Sequence, residues 1–158
     1  MHTIPWPIIM LSVILTVPAM AGVETPIELS TIPETILTEA KLKFPDATYQ
    51  SANTETEPDG GFVYEIQGIF KDGRKFEYDV YPDGVIQEIE VVFQESMVPG
   101  AVMKAIRRKL PGFIPTYIEA SHSASMKVVG YEFVGHMGSH EIDIDVSADG
   151  SMIQVADK

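Results

Sequence analysis

From Ile32 onward the apolar positions fall first at four-residue steps and then at two-residue steps, and the chain goes through this change twice. Ile36, Ala40 and Phe44 in the first passage, and Val98, Val102, Ile106 and Leu110 in the second, place one apolar stripe along a helix. Thr31-Ile32-Pro33-Glu34 reads as a capping box, or else Pro33 sits at the first helical position. The second passage keeps Pro99 but has Met97 and Gly100 where a box needs Thr and Glu, so the proline reading covers both. Pro45 and Pro111 stop the two helices in turn.

Beyond each helix the period is two. In Tyr64-Glu65-Ile66 and Phe76-Glu77-Tyr78-Asp79-Val80 apolar side chains alternate with carboxylates, the pattern of a strand with one wet face. Asp59-Gly60-Gly61, Asp72-Gly73 and Pro82-Asp83-Gly84 punctuate these runs as hairpin turns. An irregular strand over 48–55 precedes them, and the second passage offers strands over 117–125, 127–136, 141–147 and 151–155. Glu24 to Ser30, with Pro26, reads as a linker or an edge segment. The expected class is α+β: two helix-plus-antiparallel-strand repeats, forming two sheets or one continuous sheet, with helices on one face.

The two passages also match residue by residue. Ile32 to Pro45 returns as Val98 to Pro111, Tyr64-Glu65-Ile66-Gln67-Gly68 as Tyr131-Glu132-Phe133-Val134-Gly135, and Phe76 to Val80 as Ile142 to Val146. Both then turn through Asp-Gly, at Asp83-Gly84 and Asp149-Gly150. An internal period of this kind implies a duplicated unit. The expected division is a signal peptide over 1–21, a linker and first repeat over 22–93, and a second repeat over 94–158.

The signal-peptide reading rests on the apolar run from Ile8 to Val17 and the small residues Ala19 and Ala21, which predict cleavage before Gly22. That run is well short of the ~18 residues a membrane-spanning helix needs, so no stable insertion is expected after cleavage. The chain has 23 acidic and 11 basic residues, all beyond Ala21, and a net charge of −12. Such a surface repels nucleic acid and anionic lipid. Without cysteine there is no disulfide and no thiolate chemistry.

The Pro-led helix ending in Phe44-Pro45-Asp46 or Leu110-Pro111-Gly112, then Tyr64-Glu65-Ile66, then Phe76 to Gly84, resembles the PepSY-like domains of exported bacterial proteins and the related fold of β-lactamase-inhibitory proteins. The resemblance covers residues 32–93 and 98–155 and is structural rather than chemical. It implies a periplasmic or secreted binding or inhibitory module whose open sheet face is the contact surface. It implies no catalytic residue and no cofactor.

Alternation puts Glu65, Glu77 and Asp79 on the wet face of the first passage, and Glu132, Glu141, Asp143 and Asp145 on that of the second, with Tyr81 beside them as an aromatic anchor. Seven carboxylates on one face attract a cationic peptide, a basic protein patch or a divalent ion, although a solvated face of an acidic protein reads the same way. Across a turn of Met137-Gly138-Ser139, His136 and His140 would face each other about 5 Å apart at Cβ and share a metal ion. His122 between Ser121 and Ser123 suggests a base beside a nucleophile, but without the context of a nucleophile elbow. Lys104, Arg107, Arg108 and Lys109 crowd one helix opposite its apolar stripe, as a solvated face or a patch for an acidic partner. Met97, Met103, Met126 and Met152 read as core filler. The leading expectation is a non-enzymatic exported module that contacts a cationic envelope or extracellular protein or peptide through its acidic sheet face. The alternative is a metal-binding or metal-sensing protein using His136 and His140 or the acidic rows.

Overall fold

The computed structural model describes residues 23–56 and 60–156. The expected signal peptide, and Asp59 of the first expected turn, lie outside the described residues. In chain order the elements are β1 (Val23–Ile27), a 3-10 turn (Leu29–Thr31), α1 (Glu34–Lys43), β2 (Thr48–Thr56), β3 (Phe62–Ile69), β4 (Lys75–Val80) and β5 (Ile86–Val92). A second 3-10 turn (Glu95–Met97) leads to α2 (Gly100–Lys109), β6 (Phe113–His122), β7 (Val128–Met137), β8 (His140–Ser147) and β9 (Ile153–Ala156).

Among the described residues all nine strands form one antiparallel sheet in sequence order. This corrects the α+β expectation of two helix-and-strand repeats: the molecule is mostly β, one continuous sheet with two short helices laid on it. The physical reason is the ladder between β5 and β6, where Ile89 to Val92 pair with His122 to Glu119 and carry the hydrogen bonding through the middle of the chain. Unpaired β5 and β6 edges would each expose a row of N–H and C=O groups, and joining them removes both.

Pro33 and Pro99 stand at the N-caps, one residue ahead of the first helical position, with nearly equal backbone angles (φ −51°, ψ 132° and φ −55°, ψ 134°). Their carbonyls accept from the N–H groups of Leu37 and Met103, and no side chain caps either helix. Pro26 lies in β1, an outermost strand, where a missing N–H costs little. Pro115 lies beside a bulge in β6, which hides the strand's start from an alternation reading.

One sheet face carries the core. The cross-strand row Phe76, Val91, Ala120, Tyr131, Val146 and Ile153 is buried and joins the cluster under α1 to the cluster under α2. Ile36 and Ala40 fill the first cluster from α1, and Val98, Val102 and Ile106 the second. Phe93 packs against both. Of the four methionines expected in the core, only Met103 is buried; Met97, Met126 and Met152 are exposed, because they fall in turns and loop ends rather than on the stripe.

Candidate binding surface

The face opposite the helices is built by register. Glu65 pairs with Asp79 and Asp79 with Glu88 across β3, β4 and β5; Gln67 pairs with Glu77 and Glu77 with Glu90 one step along. Farther across the sheet, Glu119, Glu132 and Asp145 form a row through β6, β7 and β8. Paired residues share a face, so the structure brings together Glu65, Glu77, Asp79, Glu132 and Asp145 as the alternation predicted. It adds Glu88, Glu90 and Glu119. These were legible in principle, since Glu88-Ile89-Glu90-Val91 and Ile118-Glu119-Ala120 alternate in the same way.

Asp143 and Glu141 belong to the same side of β8, Asp143 opposite Val134 and Glu141 opposite His136. Tyr81 follows the last residue of β4 and is half-buried; its N–H donates to Val85 O (2.9 Å) in the turn.

The carboxylates are not the freely solvated groups that alternation suggests. Glu65 is only 3% exposed and is held by two amides: Asn53 Nδ2 (2.9 Å) and Gln67 Nε2 (2.6 Å) both donate to its Oε1. Ser51 Oγ in turn donates to Gln67 Oε1 (2.7 Å), which fixes the amide's orientation. Tyr117 donates its hydroxyl to Glu119 Oε1 (2.7 Å). Asp79 has one buried carboxylate oxygen with no hydrogen-bond partner among the described residues.

Burial and crowding together raise the pKa values. Desolvation first, then the carboxylates of Glu65, Glu119 and Glu24, lift Glu77 to about 7. Desolvation, followed by Glu65 and Glu77, lifts Asp79 to about 9. Glu90 also reaches about 9, by desolvation and then repulsion from Glu119 and Glu88. Glu65, Glu119, Glu132 and Asp145 are raised as well, each chiefly by burial. Asp79 and Glu90 therefore stay protonated at neutral pH, and Glu77 is near its midpoint.

The histidine pair is not assembled as expected. The hairpin turns through Gly138-Ser139 alone, with Met137 opposite His140 and His136 opposite Glu141, so the two imidazoles lie on opposite faces of the ribbon. The reason is Gly138 at φ 63°: glycine first in a two-residue loop makes a tight hairpin, which shifts the pairing by one position from a three-residue turn. Among the described residues no group of three or more His, Asp or Glu side chains is placed to hold a metal ion.

His122 is likewise not a base beside serine. It is 6% exposed on the helix-covered face, its ring against Phe93, with Nδ1 within 2.7 Å of Ala120 O and 3.2 Å of Ile89 O. Ser123 Oγ instead meets Ser125 Oγ and Lys127 O. On α2, Lys104, Arg107 and Arg108 are exposed, and Arg107 pairs with Glu95 at 2.8 Å. Lys109 donates to Ile153 O, tying the helix end to β9. Among the described residues no helix is long and apolar enough to cross a membrane.

No family model and no curated protein matches the chain. Among solved structures, a BLIP-like protein from Bacteroides fragilis superimposes with a TM-score of 0.60 at 16% sequence identity, over 80% of this chain and 88% of that one. A Bacteroides vulgatus protein of unknown function aligns over 86% of this chain and 99% of its own, at 18% identity and a TM-score of 0.37. On the first of these likenesses, the chain has a BLIP-like fold.

Proposed function

We propose that the protein is an exported, non-enzymatic binding or inhibitory module that contacts a cationic protein or peptide through the acidic face of its sheet. The observation that carries this reading is two sets of cross-strand carboxylates, one over β3 to β5 and one over β6 to β8, on the face that neither described helix covers. Glu65, Glu77, Asp79, Glu132, Glu141, Asp143 and Asp145, with Tyr81 at the turn, form the contact surface, and Glu88, Glu90 and Glu119 extend it. A helix-free sheet face is rigid and wide enough for a protein partner, and its charge is of one sign, which favours fast, selective encounter. The BLIP-like fold is consistent with an inhibitor-like role in the periplasm or outside the cell. The duplicated sequence segments 22–93 and 94–158 fit a PepSY-like origin, merged here into one sheet. Catalysis by paired carboxylates needs, besides unequal protonation, a substrate-sized, water-excluding site, and this strip is a broad sheet face.

Neutralising Glu77 and Asp79 together, to Gln and Asn, tests the reading at about pH 10, where both groups are ionised. Association with a partner recovered from the producing cell's envelope slows and loses part of its salt dependence. Lys104→Ala with Arg108→Ala leaves that association intact. If instead the helix pair abolishes binding and the sheet pair does not, the basic side of α2 is the docking surface.

A further inference from the structure

The other side of the sheet holds a cleft of about 350 Å³ between α1 and the turn after β4, lined among others by Ile36, Glu39, Tyr78, Val80, Asp83 and Ile86. The second half of the chain offers its own control. There the corresponding turn lies hard against α2: a Cβ added at Gly150 would come within 3.1 Å of Val102 Cα and 3.3 Å of Ala105 Cβ, whereas at Gly84 nothing lies within 4 Å. The sequence correspondence sets Glu39 against Ala105 and Tyr78 against Ile144. Where the second half has a small apolar residue and a branched one, the first has a carboxylate and a phenol.

Tyr78 is 2% exposed, yet among the described residues its hydroxyl has no hydrogen-bond partner. By contrast Tyr49, in the same core, donates its hydroxyl to Ala40 O at 2.6 Å. The Tyr78 hydroxyl is not among the fully buried unpaired oxygens, and as a solvent-reached group on a residue lining the cleft it is open to accept from a ligand. The lining contains two carboxylates, Glu39 and Asp83, and no basic side chain. Asp83 already uses Oδ1 to accept the N–H of Val85 (3.0 Å), while Glu39 is exposed at the rim. Burial first, and then the charge of Glu39, raise the pKa of the Tyr78 phenol, so the two groups share one electrostatic environment. Ile36, Val80 and Ile86 supply apolar walls.

We propose that this cleft binds a primary ammonium group carried on a short aliphatic stem, the head accepted by Glu39 and by the Tyr78 hydroxyl oxygen and the stem laid against Ile36, Val80 and Ile86. An ammonium carries three donors and no acceptor, the complement of a lining rich in carboxylate and hydroxyl oxygens. The volume suits a small ligand or one long side chain. The cleft lies on the helix side of the sheet, so this site is independent of the acidic face.

The test is a titration of the ¹⁵N-labelled protein followed by NMR, with n-butylammonium, n-butanol and N-acetyl-lysine methylamide as probes. n-Butylammonium should saturably shift the amide signals of Ile36, Glu39, Tyr78 and Gly84, and n-butanol should bind about tenfold more weakly for want of the charge-assisted bond. Glu39→Gln should weaken n-butylammonium about tenfold, and Tyr78→Phe, which keeps the ring and so the packing, should weaken it severalfold. Tighter binding of N-acetyl-lysine methylamide than of n-butylammonium would assign the site to a partner's lysine, and the reverse order to a free alkylamine. The proposal is overturned if neither amine shifts these signals, if n-butanol matches n-butylammonium, or if the shifts fall on Glu65, Asp79 and Glu90 of the other face and ignore Glu39→Gln.

Discussion

The two helices begin alike, end alike and lie on the same sheet face, yet one is sealed onto its hairpin turn and the other is not. The C-caps Phe44 and Leu110 have φ −125° and −126°, ψ 70° and 71°, so the backbone frames are the same. The difference lies in side chains: Ala105 is buried between α2 and the Asp149-Gly150 turn, whereas Glu39 at the matching place on α1 stands in solvent. α1 thus buries Ile36 and Ala40, whereas α2 buries Val102, Met103, Ala105 and Ile106. Two helices with like backbone ends can lie on one sheet face while a few side-chain differences turn a packed seam into a cleft. The open face divides in a related way: its largest acidity shifts, at Asp79 and Glu90, lie on β4 and β5 of the first half.

The largest effect expected is at Ile106, which is fully buried in mid-stripe of the sealed helix. Ile106→Ala should cost about 2–5 kcal/mol through lost burial and the cavity left behind. Ile36→Ala should fall at the low end of that range, about 2 kcal/mol, because the site already opens on a cleft into which its surroundings can relax. Equal losses in a denaturant titration would mean that the two helices are packed alike.

The glycines of the two turns divide the halves more sharply. Gly84 (φ 88°) and Gly150 (φ 71°) both adopt angles that a side chain resists, so alanine at either position should cost about 1 kcal/mol in strain. At Gly150 the new Cβ also meets the backbone of α2, and the loss should exceed that at Gly84 by about 1–2 kcal/mol. Similar melting points for Gly84→Ala and Gly150→Ala would break the comparison.

Much of this architecture was legible before the structure. Stripes at four-residue spacing located both helices, and Phe76 to Val80 announced β4 to within one residue at its start. What escaped was anything decided by pairing. Nothing local in Ile89 to Val92 says that it continues the ladder to β6, so one sheet read equally as two. Gly138-Ser139 shifted a hairpin by one residue, which alone separates His136 from His140. Alternation found the acidic face but not its burial, because the neighbours that desolvate Glu65 and Asp79 come from other strands. The cleft beside Glu39 was invisible for the same reason: it is an absence of contact between elements far apart in sequence.

Acidity gives the third test. Asp79 and Glu90 keep their protons up to about pH 9 in the fold, whereas an unfolded chain releases such protons near pH 4. Their contribution to stability is full below about pH 4 and is lost as pH rises through about 9, so melting temperature should fall across that window. Asp79→Asn should therefore stabilise the protein at pH 8 by about 1–2 kcal/mol, and the gain should vanish near pH 4. Asp145→Asn, on the exposed part of β8, should gain much less. If the two variants gain equally, the crowding is not concentrated in the first half. Binding of a cationic partner to the same strip should strengthen from pH 6 to pH 9, with protons released on binding, because the cation competes with protons for Glu77, Asp79 and Glu90.

The smallest effect belongs to the outer side of α2. Arg107 lies one residue beyond Ile106 but points away from the sheet, and its partner Glu95 is also exposed, with side chains 65% and 50% accessible. An ion pair so open to water gains little over the two solvated charges, loses side-chain freedom and is screened by salt. Arg107→Ala should change stability by less than about 0.5 kcal/mol, with the remaining difference disappearing at high salt. Measured beside Ile106→Ala in one denaturant series, this fixes the direction in which α2 faces. A loss at Arg107 that rivals the loss at Ile106 would place the basic residues against the sheet, and both the sealed seam and the solvated side of the helix would have to be exchanged.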